Sequence, residues 1–414
     1  MRRIPFLYVI IVLFMTSCGT SSKVVVINSS ISMKEQVTQS GMTYMLNEAV
    51  DLDGSTISMP AGVTLHFGRH GVLKNGCLRG NNTTITGTPT FDRVRLAGSY
   101  TTTTFYASWC SANSLSDYIE DIMNLGGEST VVVDCDITLN DQKKYVDHLN
   151  LKGKKNTITN SDRYYITYGG TNISDLKFCW NKGPVQEPKD NYRAVIIYSD
   201  ILPKDTTVVV KLDHVEADGG QYCSYFMRQA KSGIEPLMRI NNTINDCQFR
   251  HFTMGAIWIC GGTGTVTNTR FTDIGYDQTA ALHGVTALRL GYNNTIKSGK
   301  AIGYTVENCH FENIVAPYND RNDGRGLHAL LVYGDSTIVR NNSFKRLSTD
   351  FKKPTETGMD SEILYFKGSW NIIENNYFED GAGTASDAVL TLKSTDSEGN
   401  VVRSNHFFDN CFKQ

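Results

Sequence analysis

A short unit ending in phenylalanine recurs down the C-terminal half of the chain, at intervals no strict array would give. It reads Asn245-Asp-Cys-Gln-Phe249, Asn268-Thr-Arg-Phe271, Asn308-Cys-His-Phe311, Asn341-Asn-Ser-Phe344, Asn375-Asn-Tyr-Phe378 and Ser404-Asn-His-Phe407. The phenylalanines are 22, 40, 33, 34 and 29 residues apart. Fixed-length repeats are thereby excluded, whereas a coil of β-strands joined by loops of unequal length accommodates such spacing. In that coil each inward ring stacks on the next, roughly 4.7–4.9 Å away. The asparagine just before it sits in a left-handed turn and hydrogen-bonds along the stack. Unrelated Asn-x-Phe turns in a sandwich are the alternative, and six matched units weigh against it.

The upstream sequence agrees. From Val50 short apolar strands alternate with Gly, Asn and Asp: Asp51–Pro60, Ala61–Phe67, Gly71–Gly80 and Asn81–Gly87. Strands of this length with a turn signal every eight to twelve residues suit a sandwich, a barrel or a β-helix. Ser114–Met123 is the best helix candidate, with Ser114 as N-cap and Gly126-Gly127 as its stop. Thr130-Val-Val-Val-Asp134 then reads as a strand. Charged residues make up only 20% of the 414 and the net charge is −2, so nothing points to nucleic acid. A polyanionic ligand would need a locally basic groove.

The first residues read as a processing signal. Arg2-Arg3 precedes an apolar run from Ile4 to Met15, too short to span a bilayer, and Thr-Ser-Cys18-Gly19 follows. This resembles a bacterial lipobox, which implies a signal peptide over 1–17, lipidation at Cys18 and a tether over 18–44. The tether carries no acidic residues next to Cys18, which favours the periplasmic face of the outer membrane. Simple secretion with an incidental cysteine is the alternative. Nine further cysteines show no Cys-x-x-Cys pair, so zinc and thioredoxin-type readings are unsupported and small buried residues are expected.

The opening strands resemble those of bacterial and phage right-handed β-helix proteins, and the helix, Gly-Gly, strand sequence is similar to the start of pectate-lyase-type chains. The fold expected is all-β: one right-handed parallel β-helix over 45–414, with a short helix covering backbone edges at its N-terminal end.

One stretch carries candidate chemistry: Gly358-Met-Asp360-Ser-Glu362-Ile-Leu-Tyr-Phe-Lys367. The two carboxylates stand two apart, so a strand would point both to one face. The stretch resembles polysaccharide lyase family six, the chondroitinase B and alginate lyase group. There an acid-x-acid-Ile-x-x-x-Lys-Ser run carries a calcium site and the catalytic base. The resemblance implies that Asp360 and Glu362 hold calcium and that Lys367 is the base. The family has an arginine one coil later, in a Phe-Arg-His-Gly context. Here Lys393 stands in Leu390-Thr-Leu-Lys393-Ser-Thr, with about five extra residues within Phe378–Val389. The family's third calcium ligand is an asparagine one coil before the acids, where this chain has Gly326–Gly334; His328, Asn322 and Asp323 are the substitutes at hand.

Such groups suit β-elimination on a uronic acid. A cation held by oxygen ligands neutralises the substrate carboxylate, a neutral lysine removes the C5 proton, and a second donor protonates the departing O4. A lysine acts as base only as the free amine, a form that a nearby cation and partial burial favour. Lys393 is the first choice as donor, followed by Tyr365 and Arg403. Arg289, in His283–Gly291, would hold a uronate or sulfate. Together with His328 these complete the expected substrate contacts. Trp258 and Trp370 could stack on sugar rings, although buried tryptophan is the commoner fate. Glu362 and Lys367 are an odd number apart, so one face holds both only across a corner or bulge.

The expected activity is thus a lyase acting on a glycosaminoglycan such as chondroitin or dermatan sulfate, or on alginate, in a lipid-anchored monomer. Two other classes compete. An inverting glycoside hydrolase would use paired carboxylates across the scissile bond, but the Asp-Asp and Gly-His-Gly signatures of hydrolases on this fold are missing, and Asp360 and Glu362 stand too close. A non-catalytic carbohydrate-binding or adhesin β-helix would make the acidic pair incidental.

Overall fold

The phenylalanines of the repeated unit form one column in the computed structural model. From Phe249 through Phe271, Phe311, Phe344 and Phe378 to Phe407, ring centroids are 5.5, 4.7, 4.8, 4.9 and 4.9 Å apart. The rings lie face to face, within 9–11° of parallel after the first pair. Neighbouring strands of a parallel ladder have the same separation, so identical residues in register must stack.

The structure describes residues 23–126, 128–139, 144–146, 148–160, 165–167, 170–180, 195–199, 207–220, 222–226, 239–259, 261–275, 285–291, 300–316, 327–349, 363–382, 390–392 and 398–408. Cys18, Asp360, Glu362, Lys393, Asn322 and Asp323 lie outside them. Among the described residues every pairing between strands is parallel, and the chain divides into two compact units at Thr102/Thr103. No helix among them is long and apolar enough to cross a membrane.

In the first unit, Val24–Val26, Thr43–Leu46 and Thr64–Phe67 pair in sequence order, and Thr64–Phe67 then pairs with the long strand Val72–Gly87. Thr43, Thr64 and Thr84 stand opposite one another. The segments Gly71–Gly80 and Asn81–Gly87, expected as two strands, run as one of 16 residues. Asn75 and Asn82 take left-handed conformations within it (φ 50° and 51°), so the strand turns corners without losing its ladder. It pairs successively with Ala49–Asp51, Thr56–Ser58 and Thr64–Phe67.

The second unit carries three long sheets. The first runs from Thr104–Tyr106 and Thr130–Val133 to Val401–Arg403, the second from Ile137–Leu139 to His406–Phe408, and the third from Lys144–Val146 to Leu390–Leu392. Within each sheet neighbours follow sequence order, so the chain visits the three sheets in turn and adds a strand to each on every pass. The helix Leu115–Met123 packs on Thr130–Val133 and Lys144–Val146, burying Leu115, Tyr118, Ile119, Ile122 and Met123. Ser114 does not cap it. A 3-10 turn at Ala112–Ser114 leads into the helix and turns the Ser114 hydroxyl to that of Ser111, 3.0 Å away.

The asparagines before the phenylalanines divide two tasks that the sequence reading had merged. The left-handed corner falls three residues before each ring, at Asp246, Asn268, Asn308, Asn341, Asn375 and Ser404 (φ 49–59°). The next residue points inward. There Asn342 Nδ2 donates to Val306 O (3.0 Å) and Asn376 Nδ2 to Val339 O (3.0 Å), while Asn342 Oδ1 accepts from Cys309 N–H (2.8 Å) and Asn405 Oδ1 from Asn376 N–H (2.9 Å). Cys247 and Cys309 fill the same inward position in earlier coils, buried as expected, and burial pushes both thiols up to about 12. A second left-handed residue follows each of the first five rings by two positions, at His251, Asp273, Asn313, Arg346 and Asp380.

Candidate functional site

The third sheet positions the candidate residues. Its strands Ile257–Ile259, Val285–Leu290, Leu327–Asp335 and Leu364–Lys367, which Leu390–Leu392 follows in the ladder, share two inward rows: Ile257, Leu288, Leu330 and Leu364, then Ile259, Leu290, Val332 and Phe366. Alternation puts the residues between these rows on the other face. That outer row reads Trp258, Arg289, Leu331, Tyr365, and beside it Tyr333 stands opposite Lys367.

Arg289 lies between two aromatic faces. Its guanidinium carbon is 4.9 Å from the centroid of Trp258 and 5.4 Å from that of Tyr333, and its Nε donates to Gly291 O at 3.3 Å. Such stacking holds a guanidinium in a fixed place. The Trp258 indole N–H donates to Thr286 O (3.0 Å), which fixes the ring in turn. The Tyr333 and Tyr365 rings are 5.7 Å apart, and His328 is 5.6 Å from Tyr365. A continuous row of aromatic and basic side chains therefore crosses four strands.

Four of the expected residues come together here: Arg289, His328, Tyr365 and Lys367. Tyr365 and His328 are only 5% and 8% exposed, while Lys367 is exposed. The backbone N–H groups of Ala329 and Leu330 both donate to Ile363 O (3.0 and 3.1 Å). The corner or bulge expected between Glu362 and Lys367 falls partly outside the described residues, which begin here at Ile363. Arg403 is elsewhere, on the first sheet, where its Nη2 and Nε pair with Glu374 at 2.6 and 2.7 Å. Among the described residues no group of three His, Cys, Asp or Glu could hold a metal.

Sequence reasoning missed Tyr333 and the Trp258–Arg289 stack. A signal for the row existed: Trp258, Leu331 and Tyr365 each stand thirteen residues before the phenylalanine that follows, Phe271, Phe344 and Phe378. Counting forward from the preceding phenylalanine gives 9, 20 and 21, because the loops entering the third sheet differ in length.

Two polar clusters lie away from this row. A cleft of about 300 Å³ is lined by Lys155, Asp175, His214, Asp246 and Arg270 among others, with His214 Nε2 3.2 Å from Asp246. None of the expected site residues lines it. On the second sheet Asp218 meets Arg250 Nη2 (2.7 Å) and His251 Nδ1 (2.7 Å). Burial pushes the Asp218 carboxyl up, but the hydrogen bonds from His251 and Arg250 outweigh it and hold the group below the usual aspartate range. In both clusters histidine stands within reach of aspartates, His214 near Asp175 and Asp246 and His251 near Asp218. No protein-family model matches the chain, and no curated protein matches its sequence.

Proposed function

We propose that this protein is a right-handed parallel β-helix polysaccharide lyase, lipid-anchored through Cys18, that cleaves a uronic-acid polymer by β-elimination. The observation that carries the reading is a register. Leu364, Tyr365 and Phe366 stand opposite Leu390, Thr391 and Leu392, a 26-residue step. Lys367 and Lys393 are separated by the same step. The equal spacing supports a reading in which base and donor stand on neighbouring coils, as in polysaccharide lyase family six. Arg289, held between Trp258 and Tyr333 on the same sheet, supplies a fixed positive charge for a uronate or sulfate.

Asp360 and Glu362 are two oxygen donors immediately upstream of the Lys367 strand, a donor set suited to calcium. The ion would neutralise the substrate carboxylate and favour the free amine of an exposed Lys367. Lys367 removes the C5 proton, Lys393 protonates the leaving O4, and the substrate class is a glycosaminoglycan or alginate. Non-catalytic binding is the second reading, favoured by the half-buried cluster of Trp258, Arg289 and Tyr333, which suits retention of a sugar chain on its own.

Incubation with chondroitin sulfate, dermatan sulfate and alginate separates the readings. A lyase leaves an unsaturated uronate that absorbs in the ultraviolet. Cleavage without that chromophore would mean hydrolysis, and retention without cleavage would mean binding alone.

A further inference from the structure

A bulky side chain occupies a left-handed corner where the neighbouring coils keep small ones. Gly303, Ser336, Trp370 and Gly399 are successive corner residues leading into the first sheet, with φ of 65°, 58°, 61° and 66°. Their backbones interlock: Gly303 N–H donates to Asp335 O (3.0 Å), Ser336 N–H to Ser369 O (2.9 Å) and Trp370 N–H to Glu398 O (2.9 Å). Glycine suits this conformation and serine tolerates it, but for a tryptophan it is an outlier with an energetic cost.

Trp370 is 58% exposed, against the burial usual for its type. Its six-membered ring lies against Gly399 of the next coil, where a Cβ would overlap ring atoms Cε3, Cζ3 and Cδ2. The missing side chain at 399 lets the indole lie on the corner with its other side open. The corner is also rigid. Asn371 Oδ1 accepts from Thr337 N–H (2.9 Å), and Asn371 N–H donates to Asn400 Oδ1 (2.8 Å), which ties the coils before and after. Gly368 (φ 151°) passes so close to Gly334 O that no side chain fits there.

A strained, largely exposed aromatic residue on a rigid mount is the pattern of a binding group. We propose that Trp370 is a stacking platform for a pyranose ring of a polysaccharide, three residues beyond Lys367 and round the corner from the Arg289 row. A pyranose presents the flat apolar face that such a ring takes, and the small residues Gly303, Ser336 and Gly399 at the stacked corners leave room for it along the column. The polymer class rests on the reading proposed above; the stacking role does not need the elimination chemistry.

The test uses the full chain, Trp370→Gly and Gly399→Val. Affinity electrophoresis in gels containing chondroitin sulfate, dermatan sulfate or alginate measures binding, ultraviolet absorbance measures elimination, and thermal melting reports the fold. Trp370→Gly should weaken polymer binding about tenfold while its Tm is unchanged or higher, because glycine relieves the corner. Gly399→Val, which displaces the ring, should show the same binding loss. If the wild type binds a polymer without eliminating and Trp370→Gly loses that binding, the platform stands and the lyase reading fails. If Trp370→Gly binds as wild type does, the platform is overturned, whether or not elimination occurs. It is equally overturned if the wild type holds none of the polymers, or if Trp370→Gly loses only a self-association seen on size exclusion.

Discussion

Asn376 Oδ1 accepts two hydrogen bonds from Asn342 of the preceding coil, one from its backbone N–H and one from its Nδ2, each at 3.0 Å. Both residues are buried, and the arrangement repeats from Asn405 to Asn376. Buried donors left without partners are costly, so the ladder is an all-or-none feature of each corner. Asn376→Ala should destabilise the unit by roughly 3 kcal/mol. Asn375→Gly, at the exposed left-handed position next door, should be close to neutral. Urea unfolding of the two variants checks the division of labour; equal losses would refute it.

The phenylalanine column should behave as a chain of neighbours. Phe311 is fully buried between Phe271 at 4.7 Å and Phe344 at 4.8 Å. Phe311→Ala should cost about 4 kcal/mol. Because each coil touches only its neighbours, the damage should stay local. Hydrogen exchange should show protection lost in the strands around 271, 311 and 344, and kept in Thr130–Val133.

Lys367→Ala should lower kcat by several orders of magnitude with little change in polymer binding, since the lost interaction belongs to proton removal. Chelation should abolish turnover and leave circular dichroism unchanged. Lys393→Arg should keep or raise activity if residue 393 is the leaving-group donor. Near-normal elimination by Lys367→Ala would remove the centre of the proposed mechanism.

Acid should weaken the second sheet at Glu312. The hydrogen bond with His310 Nε2 (2.6 Å), with help from Arg346, holds its carboxyl below the ordinary glutamate value of 4.5. A depressed folded value means stability that is present above 4.5 and lost as pH falls through the folded value. Glu312→Gln should therefore be less stable than wild type at pH 7, and the difference should close on acidification below about 4. A gap independent of pH would show that the ion pairs there contribute nothing through titration.

Much of the fold was legible because the phenylalanine must repeat wherever strands stack in register. The split between corner and ladder asparagines was not, since Asn341 and Asn342 are the same residue and differ only in which side of the backbone they face. Ser114 looked like a cap, yet a 3-10 turn before it redirected the hydroxyl. For Trp370 the sequence left stacking on a sugar ring and the commoner burial both open, and its corner conformation sends it outward.

The sequence alone determined which residues form the core column and that the chain is all-β, because burial and parallel register both demand a repeated side chain. It also supplied the 26-residue interval between Lys367 and Lys393. Only the tertiary structure decided which outward residues share a face. Trp258, Arg289, Tyr333 and Tyr365 come from four strands whose entry loops differ in length, and a loop's length costs too little free energy to be encoded as a regular pattern. Their adjacency is set by the ladder of the third sheet, where each strand takes its register from the strand before it.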